Sequence, residues 1–318
     1  MKGAMQTEKA PSSSKPAQRL LCHDGWRSWQ RLRTHRAKVA LLGAALALGG
    51  CSILQTVYHQ APKYLLWRTN IAFQYDDVQH ELARMHLRQW FDWQRKQQMP
   101  QIARFLHRAQ TEVLGPVTPA LACERREETE RWVRDGLDQA APRVAQVVLT
   151  LKPGQISHLE GFFQDKNDDF TDDFVPADPK ERARLAAKFV VKWSSLIYGD
   201  FSDAQREQLQ ADIARLPFDS ATLLAQFQRF QVAYVKLLRE ATTQRWSPEH
   251  TQARIKALVL DAIDPKDPAR HAEMQRWISA GCQLGADFHN RTTPAQRLKA
   301  AAQFKTWEID ATELSQED

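Results

Sequence analysis

Apolar residues recur every three or four positions along most of the chain, and this spacing predicts amphipathic helices. Two segments show the spacing most clearly. Their apolar positions are Leu223, Phe227, Phe230, Tyr234, Leu237 and Leu238 in one, and Leu185, Phe189, Trp193 and Leu196 in the other. In a globular protein such a stripe ordinarily faces the core. The chain shows no alternation of apolar and polar residues with hairpin turns, so the sequence predicts no β-structure.

Helix starts are marked by a capping side chain followed by proline, which suits the first helical turn. The pairs are Thr118-Pro119, Asp178-Pro179, Ser247-Pro248, Asp267-Pro268 and Thr293-Pro294. Ser202 and Thr293 also have glutamine three residues later, the spacing of a capping box. The predicted helices are 62–74, 77–114 (with Pro100 as a candidate bend), 119–149, 153–173, 179–198, 203–215, 220–243, 248–263, 268–289 and 294–314. Because the connections are short, we predict an all-α fold, a single domain of about nine or ten helices over residues 61–318.

The first 50 residues read as a leader. Basic residues between Arg31 and Lys38 precede the apolar run Val39–Leu48, which is too short to cross a membrane. This order is typical of a signal peptide, predicted here as residues 31–50. A short buried helix is the alternative. Residues 1–30 are polar and form either an extension that is lost with the leader or the product of a misassigned start codon.

The net charge changes when the leader is set aside. The whole sequence has 44 Lys/Arg, 38 Asp/Glu and a net charge of +6. The leader contains nine of the basic and two of the acidic residues, which leaves 35 basic and 36 acidic residues, a net charge of −1. The remaining chain shows no block of Lys/Arg that would form a phosphate-binding surface. We therefore expect no nucleic-acid partner.

The segment Leu48-Gly49-Gly50-Cys51 resembles the lipobox of bacterial lipoproteins. The resemblance implies cleavage before Cys51 and acylation of its thiol, so that the chain is anchored to a membrane by lipid. Ser52 after the cysteine implies the periplasmic face of the outer membrane. Residues 51–60 would then be the lipidated cysteine and a tether. Next to it, Tyr64-Leu65-Leu66-Trp67-Arg68 would either lie at the headgroup boundary or pack on the domain.

Two cysteines, Cys123 and Cys282, remain in the predicted mature domain. The periplasm is oxidising, so an even pair there favours a disulfide bond. Two separate buried thiols are the alternative reading. A bond would close a loop of well over a hundred residues.

The sequence contains one candidate binding patch and no catalytic motif. Asp165, Asp168, Asp169 and Asp172 form an acidic stretch that could bind a partner or an ion, or could simply be a solvated face. The stretch departs from a calcium loop, because Phe170 and Pro176 occupy positions that need Gly and Glu. His80 and His86 are six residues apart rather than four, so they do not form a zinc-protease motif. We predict no catalytic residue, metal site or cofactor.

Several segments together resemble a family of uncharacterised proteobacterial outer-membrane lipoproteins. They are Trp90-Phe91-Asp92-Trp93-Gln94-Arg95 with Met99-Pro100, Thr118-Pro119-Ala120 with Cys123, Asn167-Asp168-Asp169-Phe170 with Asp173-Phe174, Tyr198-Gly199-Asp200-Phe201 with Gln205, and the run from His289 to Arg297 with Trp307-Glu308. The likeness extends from Cys51 to about Asp310 and implies a helical envelope lipoprotein without supplying an activity. A histidine often stands in that family where this chain has Gln94, which argues against a catalytic role for the position.

A weaker likeness is to small periplasmic chaperones with Leu-Thr-x-x-Gln motifs. It rests on Leu151-Lys152-Pro153-Gly154-Gln155 and on Phe201-Ser202-Asp203-Ala204-Gln205. Both segments are also good helix starts.

These observations predict an outer-membrane lipoprotein with a non-enzymatic binding or scaffolding role, which presents a helical surface to an envelope protein partner. A periplasmic chaperone-like protein is the first alternative and would expose a large apolar patch. A hydrolase of envelope polymers or lipids is the second. It would need a deep pocket with convergent polar groups and perturbed ionisable residues.

Overall fold

Residues 53–317 are described by a computed structural model, and within this range every regular element is helical. The helices are α1 (Ile53–Phe73), α2 (Asp77–Trp93), a π-helical segment (Gln94–Gln98), α3 (Met99–Glu112), α4 (Pro119–Val148), α5 (Pro153–Phe174), α6 (Pro179–Tyr198), α7 (Asp203–Ile213), α8 (Ser220–Thr243), α9 (Pro248–Ile263), α10 (Pro268–Asn290) and α11 (Pro294–Gln316). Because α2, the π segment and α3 form one continuous rod, this part of the chain has ten helical rods. The predicted all-α single domain is confirmed.

The predicted helix starts are confirmed at the level of hydrogen bonds. Each capping side chain that precedes a proline accepts a backbone N–H from the first turn of its helix. These caps are Thr118, Asp178, Ser247, Asp267 and Thr293. A side-chain oxygen thus satisfies a donor that the first turn leaves without an intrahelical partner.

Helix α1 begins nine residues earlier than predicted. Residues 53–60, predicted as part of a tether, form its first two turns, and Pro62 lies inside the helix. Gln55 is buried and donates a hydrogen bond to Glu313 of α11, while the Tyr58 ring packs edge-on against Phe91. The polar residues and the proline obscure the helical spacing here. The predicted extension 1–30, the signal peptide 31–50 and Cys51 lie outside the described residues.

The irregularity in the long rod is a π turn rather than a bend at Pro100. The backbone N–H of Met99 donates to the carbonyl of Gln94, five residues earlier. Pro100 follows as one of the first residues of α3, in the first turn, where proline is tolerated. The π segment coincides with the Gln94-Arg95 end of the motif noted above.

The helices pack around three apolar clusters. The largest lies among α4, α5, α8 and α9 and contains the fully buried Ile156, Leu159 and Leu238. A second joins α3 to α11 through Leu106 and Leu314. The third holds α6, α7 and α10 together.

The order of packing repeats along the chain. Helix α1 packs on α2 and α5, and in the second half α6 packs on α7 and α11 in the same way. Helix α2 packs on α4 as α7 does on α10. Contacts also join the two halves of the domain, since α11 packs on α3 and α5 packs on α8. Helices α1–α5 form one half of the domain and helices α6–α11 the other. The two halves share the same order of packing and are interleaved, with α9 as the extra helix.

The two apolar stripes described from sequence are not both buried. On α8, Leu237 and Leu238 enter the largest cluster, but Leu223 and Phe227 at its start are exposed. On α6 the stripe points away from the core, because the helix packs through Ala183 and Ala187 instead. Small side chains allow the close approach of α6 to α7 and leave the bulky residues outside.

Candidate binding surface

Four glutamines at helix N-termini form two hydrogen-bonded pairs, one within each half of the domain. Gln79 and Gln155 exchange side-chain hydrogen bonds of 3.1 and 2.7 Å. Gln205 and Gln296 form the matching pair in the second half, where the Gln205 amide donates to Gln296 Oε1 at 2.9 Å. Each glutamine oxygen also accepts the backbone N–H of its own N-cap residue.

The same glutamines satisfy backbone carbonyls of the partner loop. Gln79 Nε2 donates to the Thr150 carbonyl at 2.7 Å, and Gln296 Nε2 donates to the Asp200 carbonyl at 2.7 Å. The segments that resemble Leu-Thr-x-x-Gln motifs at Gln155 and Gln205 are therefore two members of a set of four. The set locks pairs of helix starts together, which is a structural role.

The buried His289 side chain, near the end of α10, links the two halves of the domain. The Tyr198 hydroxyl lies 2.9 Å from His289 Nδ1, and His289 Nε2 donates to the Gly115 carbonyl at 2.9 Å. Burial lowers the pKa of His289, and Arg297 acts in the same direction. Burial raises the pKa of Tyr198 to about 12. The arrangement suits a neutral imidazole whose Nδ1 accepts a hydrogen bond from the Tyr198 hydroxyl.

The predicted acidic patch is a solvated stripe on α5. Asp165, Asp168, Asp169 and Asp172 are all exposed and fall on one face of the helix, at relative positions 0, 3, 4 and 7. Gln164 donates to Asp168, and Lys166 pairs with Asp169 at 2.6 Å. Within residues 53–317, no group of three or more His, Cys, Asp and Glu is placed to hold a metal ion. His80 and His86 belong to no such group.

The predicted disulfide is confirmed. Cys123 of α4 and Cys282 of α10 lie at bonding distance, with their Cα atoms 5.3 Å apart. The bond fastens two long helices, one from each half of the domain. The predicted lipidation site Cys51 lies outside the described residues.

Two open grooves lie between pairs of packed helices. One, of about 480 Å³, lies between α3 and α11 and includes Arg104, His107 and Glu308. The other, of about 900 Å³, lies between α1 and α5 and includes Ile71, His158, Phe162 and Asp165. None of the helices that the structure describes is long and apolar enough to span a bilayer.

Helix α6 displays its aromatic residues to solvent. Phe189, Trp193 and Leu196 are each more than half exposed. Lys180, Arg184, Lys188 and Lys192, spaced by four, are exposed as well, and this row meets the aromatic residues at its Lys192 end. This row is not a continuous basic block in the sequence, because three residues separate each member from the next.

Helix α8 has a second exposed apolar face, formed by Leu223 and Phe227. The Phe227 ring, 45% exposed, meets Phe170 of α5 edge-on at 6.1 Å. Arg182 of α6 forms an ion pair of 2.7 Å with Asp219, the N-cap residue of α8. The N-terminal ends of α6 and α8 therefore meet at one corner of the domain.

A third apolar stripe runs along α1. Val57, Tyr64, Trp67 and Ile71 are exposed, on the side opposite the buried Leu66. The segment Tyr64–Arg68 thus divides between the two predicted environments, since Leu66 packs inside while Tyr64 and Trp67 face outward. Trp67 stands nine residues before the N-cap Asp76, as Trp193 stands nine residues before Ser202.

Comparisons with known proteins place the chain in a family without supplying an activity. No curated protein and no solved structure matches it significantly. A family model matches residues 73–259, from the end of α1 into α9, which is narrower than the resemblance predicted from Cys51 to Asp310. This match spans more than half of the 318 residues, and the chain therefore belongs to the family of unknown function DUF6279.

Proposed function

We propose that this protein is a lipid-anchored, non-enzymatic binding or scaffolding protein on the periplasmic face of a bacterial outer membrane. Acyl chains on Cys51 hold it to the membrane, and its helical domain presents an aromatic surface to another envelope protein. The resemblance of residues 48–51 to a lipobox supports the anchor. The exposed face of α8 supports the binding role.

The observation that carries the binding role is the exposure of Leu223 and Phe227 beside Phe170. Aromatic side chains supply most of the binding energy at many protein interfaces, because they bury a large area at a small cost in conformational entropy. The Phe227 ring packs edge-on against Phe170 while the residue is 45% exposed. An aromatic side chain that is supported on one side and open on the other is suited to bind a partner.

Affinity purification from solubilised envelopes tests the binding role. We expect a specific partner with the natural chain and its loss from the double variant Leu223→Ser, Phe227→Ser. Val232→Ser is the matched control, because Val232 is 72% exposed on the same helix but points about 140° away from Phe227. An unchanged set of co-purified proteins from the double variant would remove α8 as the binding surface.

Acyl labelling tests the anchor independently. Cells given a labelled fatty acid should transfer the label to the natural chain and not to the Cys51→Ser variant. Membrane fractionation should then recover the natural chain with outer membranes. A natural chain that takes up no label would contradict the anchor and leave the binding test unaffected.

A chaperone-like role is the second candidate, favoured by the apolar stripes on α1, α6 and α8 together. Several exposed stripes on one domain would hold unfolded segments without a single preferred partner. The discriminating measurement is light scattering from a chemically unfolded envelope protein diluted into buffer. A chaperone suppresses the scattering at near-equal molar ratio, whereas a scaffold with one partner leaves it unchanged.

A further inference from the structure

Two consecutive helices of the domain carry opposite charges. Helix α5 has six acidic residues and one lysine, whereas α6 has five basic residues and one glutamate. The exposed acids include the row from Asp165 to Asp172, and the exposed basic residues include the row from Lys180 to Lys192. A domain that is almost neutral overall therefore separates its charge onto two faces.

The acidic row borders the groove between α1 and α5. Helices α1 and α5 pack antiparallel: His158 Nε2 lies 2.9 Å from the Ile71 carbonyl, and the Arg68 guanidinium lies 5.8 Å from the centre of the Phe162 ring. The groove of about 900 Å³ between them is lined by the apolar Ile71 and Phe162, by polar side chains including Asn70 and Gln74, and by Asp165. Two apolar side chains thus lie next to the acidic row on this face.

The opposite combination occurs on α6. Its aromatic row of Phe189, Trp193 and Leu196 lies next to the Lys188 and Lys192 end of its basic row, with the Lys192 ammonium 5.9 Å from the centre of the Trp193 ring. Each face therefore has one apolar strip and one charged strip, and the charges of the two faces are opposite. Complementarity of both apolar and charged surfaces distinguishes a specific contact from non-specific association.

We propose that a second copy of this chain occupies the groove between α1 and α5, with its α6 aromatic row in the groove and its basic row against the acidic row of α5. Because both faces belong to the same chain, a two-fold dimer makes this contact twice. Anionic lipid is disfavoured as the occupant of the groove, since the acidic row would repel its headgroups. Unlike the proposed binding role, this contact does not involve the α8 surface.

Photocrosslinking between two differently tagged copies tests the contact in cells. The full chain carries a photoreactive residue at position 196, which leaves Trp193 intact. We expect a crosslinked product of twice the chain mass, with the second attachment on α1 or α5. The same probe at Val133 of α4, which is also more than half exposed, should give no such product. Crosslinks from position 196 only to lipid, only to other proteins, or to nothing would overturn the proposal.

Exchange of charge provides a second, independent test. Lys188→Glu with Lys192→Glu should reduce the self-crosslink at least about tenfold, as should Asp165→Lys with Asp172→Lys. Co-expression of the two double variants should restore the product as a mixed dimer, because both contacts are then complementary. Restoration also shows that both variants fold. If the crosslink survives either reversal, or the mixture restores nothing although each variant has the natural circular dichroism spectrum, the proposal is wrong.

Discussion

Buried amide side chains at the helix starts stabilise this domain locally. Gln79 and Gln296 are almost completely buried, and each makes hydrogen bonds to its own N-cap, to its partner glutamine and to a distant carbonyl. A buried polar group is tolerated when it is fully bonded and costly when one partner is lost. The four glutamines therefore link pairs of helix starts far apart in sequence.

Replacement of Gln296 by alanine should lower the free energy of unfolding by about 1–3 kcal/mol, because the Asp200 carbonyl and the Thr293 N–H lose their partner. Gln79→Ala should cost a similar amount. Gln228→Ala is the control, since Gln228 is exposed on α8. Urea denaturation measures the difference. Variants at positions 79 and 296 as stable as the control would show that the glutamine pairs contribute nothing.

The stability of the domain should depend on pH through His289. Its pKa is lowered in the folded protein, while the unfolded chain keeps a value near 6.5. As the pH falls below about 6.5, the unfolded chain binds the proton first, and stability decreases until the folded pKa is reached. Urea denaturation between pH 7.5 and 5 should show a smaller decrease in His289→Gln than in the natural chain or in His80→Gln. Equal slopes in all three would contradict this assignment.

At the scale of elements, local chemistry predicted the helix boundaries well. The cap-proline pairs at positions 118, 178, 247, 267 and 293 mark true starts, because a capping oxygen and a fixed proline φ act within one turn. The start of α1 was missed because its first turns are polar and are stabilised by tertiary partners, Glu313 and Phe91. The π turn at residues 94–98 has no comparable local signal.

The surfaces were harder to predict than the helices. The α6 stripe has ideal helical spacing, yet neighbouring alanines pack inside and Trp193 remains outside. Which of two apolar faces is buried depends on the shape of the opposing helix α7, and that information is not local. The acidic residues of α5 share one face of their helix, but the groove beside them depends on the packing of α1.

The disulfide should stabilise the pairing of α4 with α10. Cys123 and Cys282 are separated by 159 positions, so in the chain-entropy model the bond contributes at most about 4–5 kcal/mol by restricting the unfolded chain. Urea denaturation of the chain with and without reductant measures it, and the double Cys→Ser variant should match the reduced form. An identical midpoint in all three forms would mean that the bond carries no net stability.

At the scale of the whole molecule, interleaving makes the two halves one unit. Helix α11 packs on α3 and α5 packs on α8, so neither half can bury its apolar surface without the other. The aromatic rows of α1, α6 and α8 are left over from this packing. These rows are the surface on which we propose that a partner binds, and an anchor at Cys51 would place that contact at the membrane surface.

The most direct test of this account is photocrosslinking from α8 in intact cells, followed by mass spectrometry. The probe replaces Phe227 in one strain and Val232 in another, and Cys51→Ser versions of both report on the anchor. The account predicts one dominant envelope protein crosslinked from position 227, little from position 232, and a large loss of that product without Cys51. Equal, diffuse crosslinking from both positions, or none from position 227, would contradict a lipid-anchored binding protein with its site on α8.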